Sequence, residues 1–246
     1  MKIYSKTLKR CAFVYLALPL LIFIGGFLKW QVAIPAGISV LVGLFYAWKS
    51  AGQDQRQMEA GRFTLAIVFG VVLLWSYLGG LNGLFFQSND WHWRNAIFHD
   101  LIDLKWPVVY TEKGSALVYY LGFWLPAALL AKIAGAFGGA VVAWRVARGA
   151  LWLWTALGLA VTALMLMSYA GANTPGKRVG VLMTFIFFSG LDILGTLYSG
   201  NMEWLFSPEV MHLEWWMPDG KQFSAMTTCL YWVFNQSVVP WVSVMC

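Results

Sequence analysis

The chain has 246 residues, of which 60% are hydrophobic and 11% charged, against about 45–50% and about 25% in ordinary soluble domains. So few charges cannot cover a soluble surface of this size. With 15 Trp and a mean hydropathy of +0.65, the composition excludes disorder, collagen-like repeats and small disulfide scaffolds, and it points to an integral membrane protein.

The formal charge of +6 does not indicate nucleic acid, because the basic residues sit in the gaps between apolar runs. Lys2, Lys6, Lys9 and Arg10 precede the first run, Lys49, Arg56 and Arg62 fill a second gap, and Lys132, Arg145 and Arg148 a third. That spacing is a topology signal. Cys11, Cys229 and Cys246 lie in or beside apolar segments without metal-binding spacing, and read as small space-filling residues.

A membrane-spanning helix needs about 20 apolar residues. Residues 11–28 are the first such segment. Their basic start and apolar core are those of a signal peptide, but no small-x-small cleavage site follows, so the segment reads as an uncleaved anchor. Residues 32–48 follow after a very short turn and predict a helical hairpin, and residues 63–86 form a third span. With the basic N-terminus in the cytoplasm, residues 87–115 become an outer loop. Residues 116–131 then return to the cytoplasm and end at Lys132. A Gly- and Ala-rich stretch, 133–144, leads to Arg145 and Arg148, and residues 149–172 form the fifth span.

Residues 179–198 read in two ways. They form a sixth span, or residues 181–195 dip in and return as a helix broken around Gly190 and Gly195; irregular backbone at that depth must be covered by protein or water. Lys177 and Arg178 favour the first reading. The second puts two acidic loops on one side: 87–115, with Asp90, Asp100, Asp103 and Glu112, and 199–225, with Glu203, Glu209, Glu214 and Asp219 against a single Lys221. A last apolar segment, 226–246, is interrupted by Asn235-Gln236-Ser237, and the chain stops inside it, which reads as a truncated chain. The predicted fold is all-α: a polytopic helical transmembrane protein, residues 1–246 as a single domain with about six or seven membrane segments.

Residues 91–104 have helical periodicity without the length to span. Trp93, Ile97, Leu101 and Leu104 form an apolar stripe, and His92, Asn95, His99 and Asp103 a polar one. A helix of this kind lies flat in the membrane interface, and Trp106-Pro107 ends it. Asp90, His92, His99, Asp100 and Asp103 then crowd one membrane surface. Such a group either binds a divalent cation (magnesium or manganese, with Asp90 and Asp103 as ligands) or takes a proton from a nucleophile; the plainer alternative is a wet polar face. Asp192 is the only acid inside a long apolar segment, either a functional group or a helix cap or salt bridge. In the second loop, His212-Leu213-Glu214-Trp215-Trp216 suits sugar recognition or an ordinary aromatic belt. There is no Walker loop, dinucleotide fingerprint, HExxH or nucleophile elbow.

Asn89-Asp90, the helix over 91–104, the apolar run 125–131, the turn Lys132-Ile133-Ala134-Gly135 and Ala147-Arg148 together resemble the first half of the C-type integral-membrane glycosyltransferases, polytopic enzymes that use polyprenyl-phosphate sugars. The resemblance covers residues 63 to 165. It implies that an acidic residue early in the first outer loop, here Asp90, acts as base or places a metal. The family often pairs two acids there, and this chain has Asn89 before Asp90.

On that reading the protein transfers a sugar at the outer face of a bacterial plasma membrane. Asp90 deprotonates the acceptor or holds the cation, Asp100 or Asp103 assists, His92 and His99 bind phosphate, and Glu214, Trp215 and Trp216 hold sugar. A transporter using Asp192 as an ion or proton site, and a non-catalytic membrane subunit, are the rival readings.

Overall fold

The fold is seen in a computed structural model, which describes residues 2–85, 87–189, 191–206, 214 and 223–246. It is mostly helical, with two short antiparallel ribbons: β1 (Lys2–Tyr4) on β2 (Gln57–Glu59) and β3 (Val109–Tyr110) on β4 (Ser115–Ala116).

The N-terminal hairpin expected from the sequence is present. α1 (Ser5–Phe27) and α2 (Trp30–Ala51) are largely apolar helices separated only by Leu28-Lys29, with their charged residues at the Lys6–Arg10 and Lys49 ends. α1 buries Leu8, Ala12 and Tyr15 against the rest of the molecule, and the Tyr15 ring stacks on Trp154 at 4.0 Å. α2 buries almost nothing: Ala51 alone is buried, while Trp30 is 70% and Phe45 64% exposed. A bare apolar face of this size marks a protein or membrane contact, and the helix is long and apolar enough to cross a bilayer.

α3 (Arg62–Leu78) ends eight residues short of the predicted boundary at 86. Gly79 and Gly80 follow it, and Gly80 and Gly83 take positive φ, so the apolar residues 81–85 form turns instead of helix.

The predicted fourth and fifth spans need a larger correction. Residues 117–121 are irregular, with a bend at Tyr119 and helical φ/ψ at Leu121, and helix α5 runs from Leu125 to Tyr169 with one break at Gly139 (φ 75°, ψ −179°). The break folds the helix back on itself. A Cβ on Gly135 would lie 2.9 Å from that of Ala143, although a straight helix would separate them by about 12 Å. Phe98 likewise meets both Trp124 and Trp144. The first arm, 125–138, is about 21 Å long and too short to cross a bilayer; the second arm, 140–169, is about 45 Å. The reversal lies at one glycine, inside the stretch 133–144 that the sequence marked as a connection.

Consequently Lys132 is not at the far side from the first loop. Its ammonium donates to the carbonyls of Ile102 (2.9 Å) and Leu104 (2.6 Å), at the end of α4 (Asp90–Asp103). A lysine there satisfies carbonyls that a helix C-terminus leaves open. Arg148 donates to Gly83 O at 2.8 Å, so it too belongs to the α4 end.

The molecule thus has two chemically distinct ends. At one, Asp54 accepts from Ser5 (3.1 Å) and pairs with Lys9 (3.2 Å) and Arg56 (2.7 Å), and Arg178 donates to Thr64 and to the carbonyls of Ala172 and Asn173. Lys2, Lys6, Arg10, Lys49, Arg62 and Lys177 belong to the segments that converge there. At the other end are α4, Trp106 packed against Phe27, and the start of α8 (Met226–Val244), where Thr227 accepts from Trp75 and donates to Ile186 O. α8 kinks at Val233, and Ser237 Oγ lies 3.1 Å from the carbonyls of Cys229 and Val233.

Among the described residues, three helices are long and apolar enough to cross a membrane: α1, α2 and the unit 122–169. α6 (Pro175–Phe187) and α7 (Asp192–Tyr198) pass the same test only as a pair bent by 55°, giving four candidates at most, not six or seven. The expected count falls because α3 stops early, the first arm of α5 is short, and α8, kinked at Val233, is not among the candidates either. Of the two glycines at which the sequence placed a broken helix, Gly190 lies outside the described residues and Gly195 is inside α7; α6 ends at Phe187 and α7 starts at Asp192. In the second loop, residues 207–213 and 215–222 lie outside the described residues, and with them His212, Trp215 and Trp216.

Candidate functional site

α4 is the helix expected over 91–104, but its buried face is rotated from the expected one. Trp91, Arg94, Phe98 and Leu101 point inward, with Ile102 beside them, whereas Trp93 is 70% exposed and Leu104 is exposed as well. The reason is Arg94. Its guanidinium donates to Trp232 O on α8, pairs with Asp90 at 3.2 Å and lies over the rings of Trp91 and Phe234. A buried arginine tolerates this position because carbonyl, carboxylate and aromatic faces surround it. A face assigned by polarity alone turns the wrong way.

Asp90 is consequently a carboxylate about half exposed at the first turn of α4, held by a guanidinium anchored on α8. Next to it lies a polar recess of about 600 Å³, lined by Gln87, Ser88, Asn89, His92, Asn95 and the two tryptophans Trp91 and Trp93. Asn95 donates to Gln87 Oε1 at 3.0 Å, and Gln87 donates to Gly80 O at 2.8 Å, which ties the recess to the turn after α3. Around this turn, Asn82 Nδ2, Arg94 Nη1 and Arg148 Nε are buried donors, and Ser88 Oγ a buried hydroxyl, without hydrogen-bond partners among the described residues. Buried polar atoms are normally satisfied, so a surplus of donors here favours an acceptor-rich ligand. His92 is exposed and meets the edge of Trp93.

The other candidate acids sit at the opposite end of α4. Asp103 is thirteen residues from Asp90, a separation of about 20 Å along the helix axis, so one ion cannot take both as ligands. Asp100 accepts a short hydrogen bond from the Tyr110 hydroxyl, and that bond, more than burial, pushes the phenol up to about 12. His99 lies flat on Trp144, ring centroids 3.7 Å apart, with Nδ1 3.8 Å from Asp103. The predicted polar cluster thus divides into a recess around Asp90 and His92 and an aromatic-backed group of His99, Asp100 and Asp103. Among the described residues, no three His, Cys, Asp or Glu side chains gather to hold a metal ion.

Asp192 is buried, at the first turn of α7 just after the break. Its backbone carbonyl accepts from Thr196 at 2.7 Å. Glu214 is also buried; its charge acts on Cys229, near the start of α8. Neither is among the residues that line the recess beside Asp90.

Arg94 was not singled out from the sequence, and Arg148 was read only as a basic residue of a gap and of the Ala147-Arg148 step, not as a group at this end. The Asp90–Arg94 spacing of four on a helix was the available signal for the first; nothing in the sequence tied Arg148 to Gly83. Comparison with known protein families, with curated proteins and with solved structures finds no match to this chain.

Proposed function

We propose that the protein is an integral membrane glycosyltransferase that works at its α4 end, using a polyprenyl-phosphate sugar as donor. The basic end faces the cytoplasm, following the bias of Lys and Arg, and the α4 end faces outward across a bacterial plasma membrane. α2, bare and apolar along its length, meets lipid.

The observation that carries the reading is Asp90: a half-exposed carboxylate fixed by buried Arg94 beside a polar recess lined by Gln87, Ser88, Asn89, His92 and Asn95. In the reaction, Asp90 takes the proton of an acceptor hydroxyl. The freed oxygen attacks the anomeric carbon, and the bond from that carbon to the lipid phosphate breaks with its electron pair going to the phosphate. His92, with the amides of Asn89 and Asn95 in the recess wall, offsets that charge, and Trp93, exposed at the recess, offers a face to the sugar. Glu214 lies outside this recess, and the step is built without it; Trp215 and Trp216 lie outside the described residues. If a magnesium or manganese ion takes part, it binds through Asp90 and the substrate phosphate, without Asp103.

Removal of a general base costs about 10²–10⁴ in rate. Transfer from a radiolabelled polyprenyl-phosphate sugar by the protein in proteoliposomes therefore falls by at least about a hundredfold in Asp90→Asn, while Asp103→Asn leaves it unchanged. Equal transfer by Asp90→Asn and the parent removes Asp90 from the chemistry.

A second reading has its own observation: a buried carboxylate, Asp192, at a helix break, the kind of place where transporters hold coupling ions. Flux abolished by Asp192→Asn, with Asp90→Asn harmless, would select it.

A further inference from the structure

The second arm of α5, α6 and α8 enclose a groove of about 640 Å³, remote from α4. Its walls are apolar, with Leu166, Val181, Phe185 and Trp241 prominent, and its residues run along α6 from Lys177 to Phe188. That stretch is about 16 Å long, close to half of the roughly 30 Å hydrocarbon thickness of a bilayer. The groove is therefore one leaflet deep.

Its chemistry is polarised in the same direction. The hydroxyl of Thr162 is committed to Gly158 O at 2.9 Å, so the walls offer little to a polar ligand. Lys177 stands at the mouth, at the cationic end of the molecule, exposed. Its neighbours in charge are already engaged: Lys9 and Arg56 with Asp54, Arg178 with Thr64 and carbonyls. Among the described residues, no carboxylate pairs with Lys177.

We propose that this groove is a binding site for one acyl chain of an anionic glycerophospholipid of the leaflet at the basic end, with the headgroup phosphate on Lys177. Depth of one leaflet, apolar walls and a cation at headgroup level match a phospholipid. A soluble anion would leave the walls empty, and a neutral lipid would leave Lys177 unused. The inference rests on the membrane reading above and is independent of the chemistry at Asp90.

The test uses the full chain in vesicles of phosphatidylcholine with a minor fraction of phosphatidylglycerol, either lipid carrying a photoactivatable acyl chain. Adducts are mapped by mass spectrometry, and incorporation is read separately by flotation. Phosphatidylglycerol should label the facing residues of α6 and α8 in preference to phosphatidylcholine. Lys177→Glu should lower that labelling by about fivefold or more, the weight of one lysine at an anionic lipid surface, with incorporation unchanged. Gly180, in the groove wall, has open space where its Cβ would be, so Gly180→Trp should fill the groove and abolish labelling by both lipids without disturbing the fold. Equal labelling by the two lipids, insensitivity to both substitutions, or protein–protein adducts across the groove would overturn the proposal with the membrane reading intact. Failure to float with the vesicles would overturn both.

Discussion

Replacing Gly139 by alanine separates a folded-back α5 from a continuous one by the sign of the effect. In the structure Gly139 has φ 75° and ψ −179°, a region that is almost restricted to glycine and costs other residues about 1–3 kcal/mol. A Cβ added there meets nothing within 4 Å, so no clash or new contact obscures that conformational cost. In a continuous helix the same change would instead stabilise by about 0.5–1 kcal/mol. Gly149, helical and equally open around its Cβ position, is the internal control.

Thermal unfolding in detergent micelles reads the difference. At about 2–4 °C per kcal/mol for a chain of this size, Gly139→Ala should lower Tm by roughly 2–12 °C and Gly149→Ala should raise it by roughly 1–4 °C. Asparagine at 139 gives no rescue, because its tolerance is for the left-handed helical region and not for extended ψ. A rise in Tm for Gly139→Ala, parallel to that for Gly149→Ala, would refute the hairpin and with it the placement of Lys132 against α4.

Arg94→Met retains the apolar stem but takes the guanidinium from Trp232 O, and should cost about 1–3 kcal/mol in chemical denaturation; Asp90→Asn, at the half-exposed end of the same pair, should cost less than about 1 kcal/mol. Lys132→Met removes both donors to the end of α4 and should speed amide exchange at 102–105 without affecting exchange in α1. The Arg56 guanidinium, helped by Lys9 and Ser5, holds the Asp54 carboxyl well below the usual carboxylate range. A carboxyl depressed in the folded state stabilises it above the unfolded value of about 3.9, and that contribution is lost as pH falls through the folded value. Unfolding followed from pH 6 downward should show Asp54→Asn with a flatter acid dependence than the parent. Asp100→Asn should return the Tyr110 phenol from about 12 toward about 10 in an ultraviolet titration.

What the sequence made legible follows from which interactions are local. The α1–α2 hairpin was readable because two apolar runs of spanning length are separated by a pair of residues. The existence of α4 was readable from periodicity, and its end from Trp106-Pro107. Its orientation was not, because the burial of Arg94 depends on a carbonyl 138 residues away. The boundaries of α5 misled for a related reason: residues 117–121 are apolar enough to look like helix, yet they form an irregular turn, and the actual reversal needs a single backbone conformation at Gly139. The candidate site was legible as a set of residue types but not as a geometry. Asp90 and Asp103 share a helix and a charge, and only the rise along the axis shows that they serve different places.

Everything proposed for Asp90 requires that α4 and the segment leading into α8 share one face of the membrane, opposite the cationic end. Single cysteines at Asp90, Phe223 and Lys177, in a chain whose Cys11, Cys229 and Cys246 have been replaced, can be probed with a membrane-impermeant thiol reagent added to intact cells. Labelling at 90 and 223 from outside, with 177 reached only after permeabilisation, is the predicted result. Labelling of 90 and 223 from opposite faces, or of 177 together with 90, would contradict it.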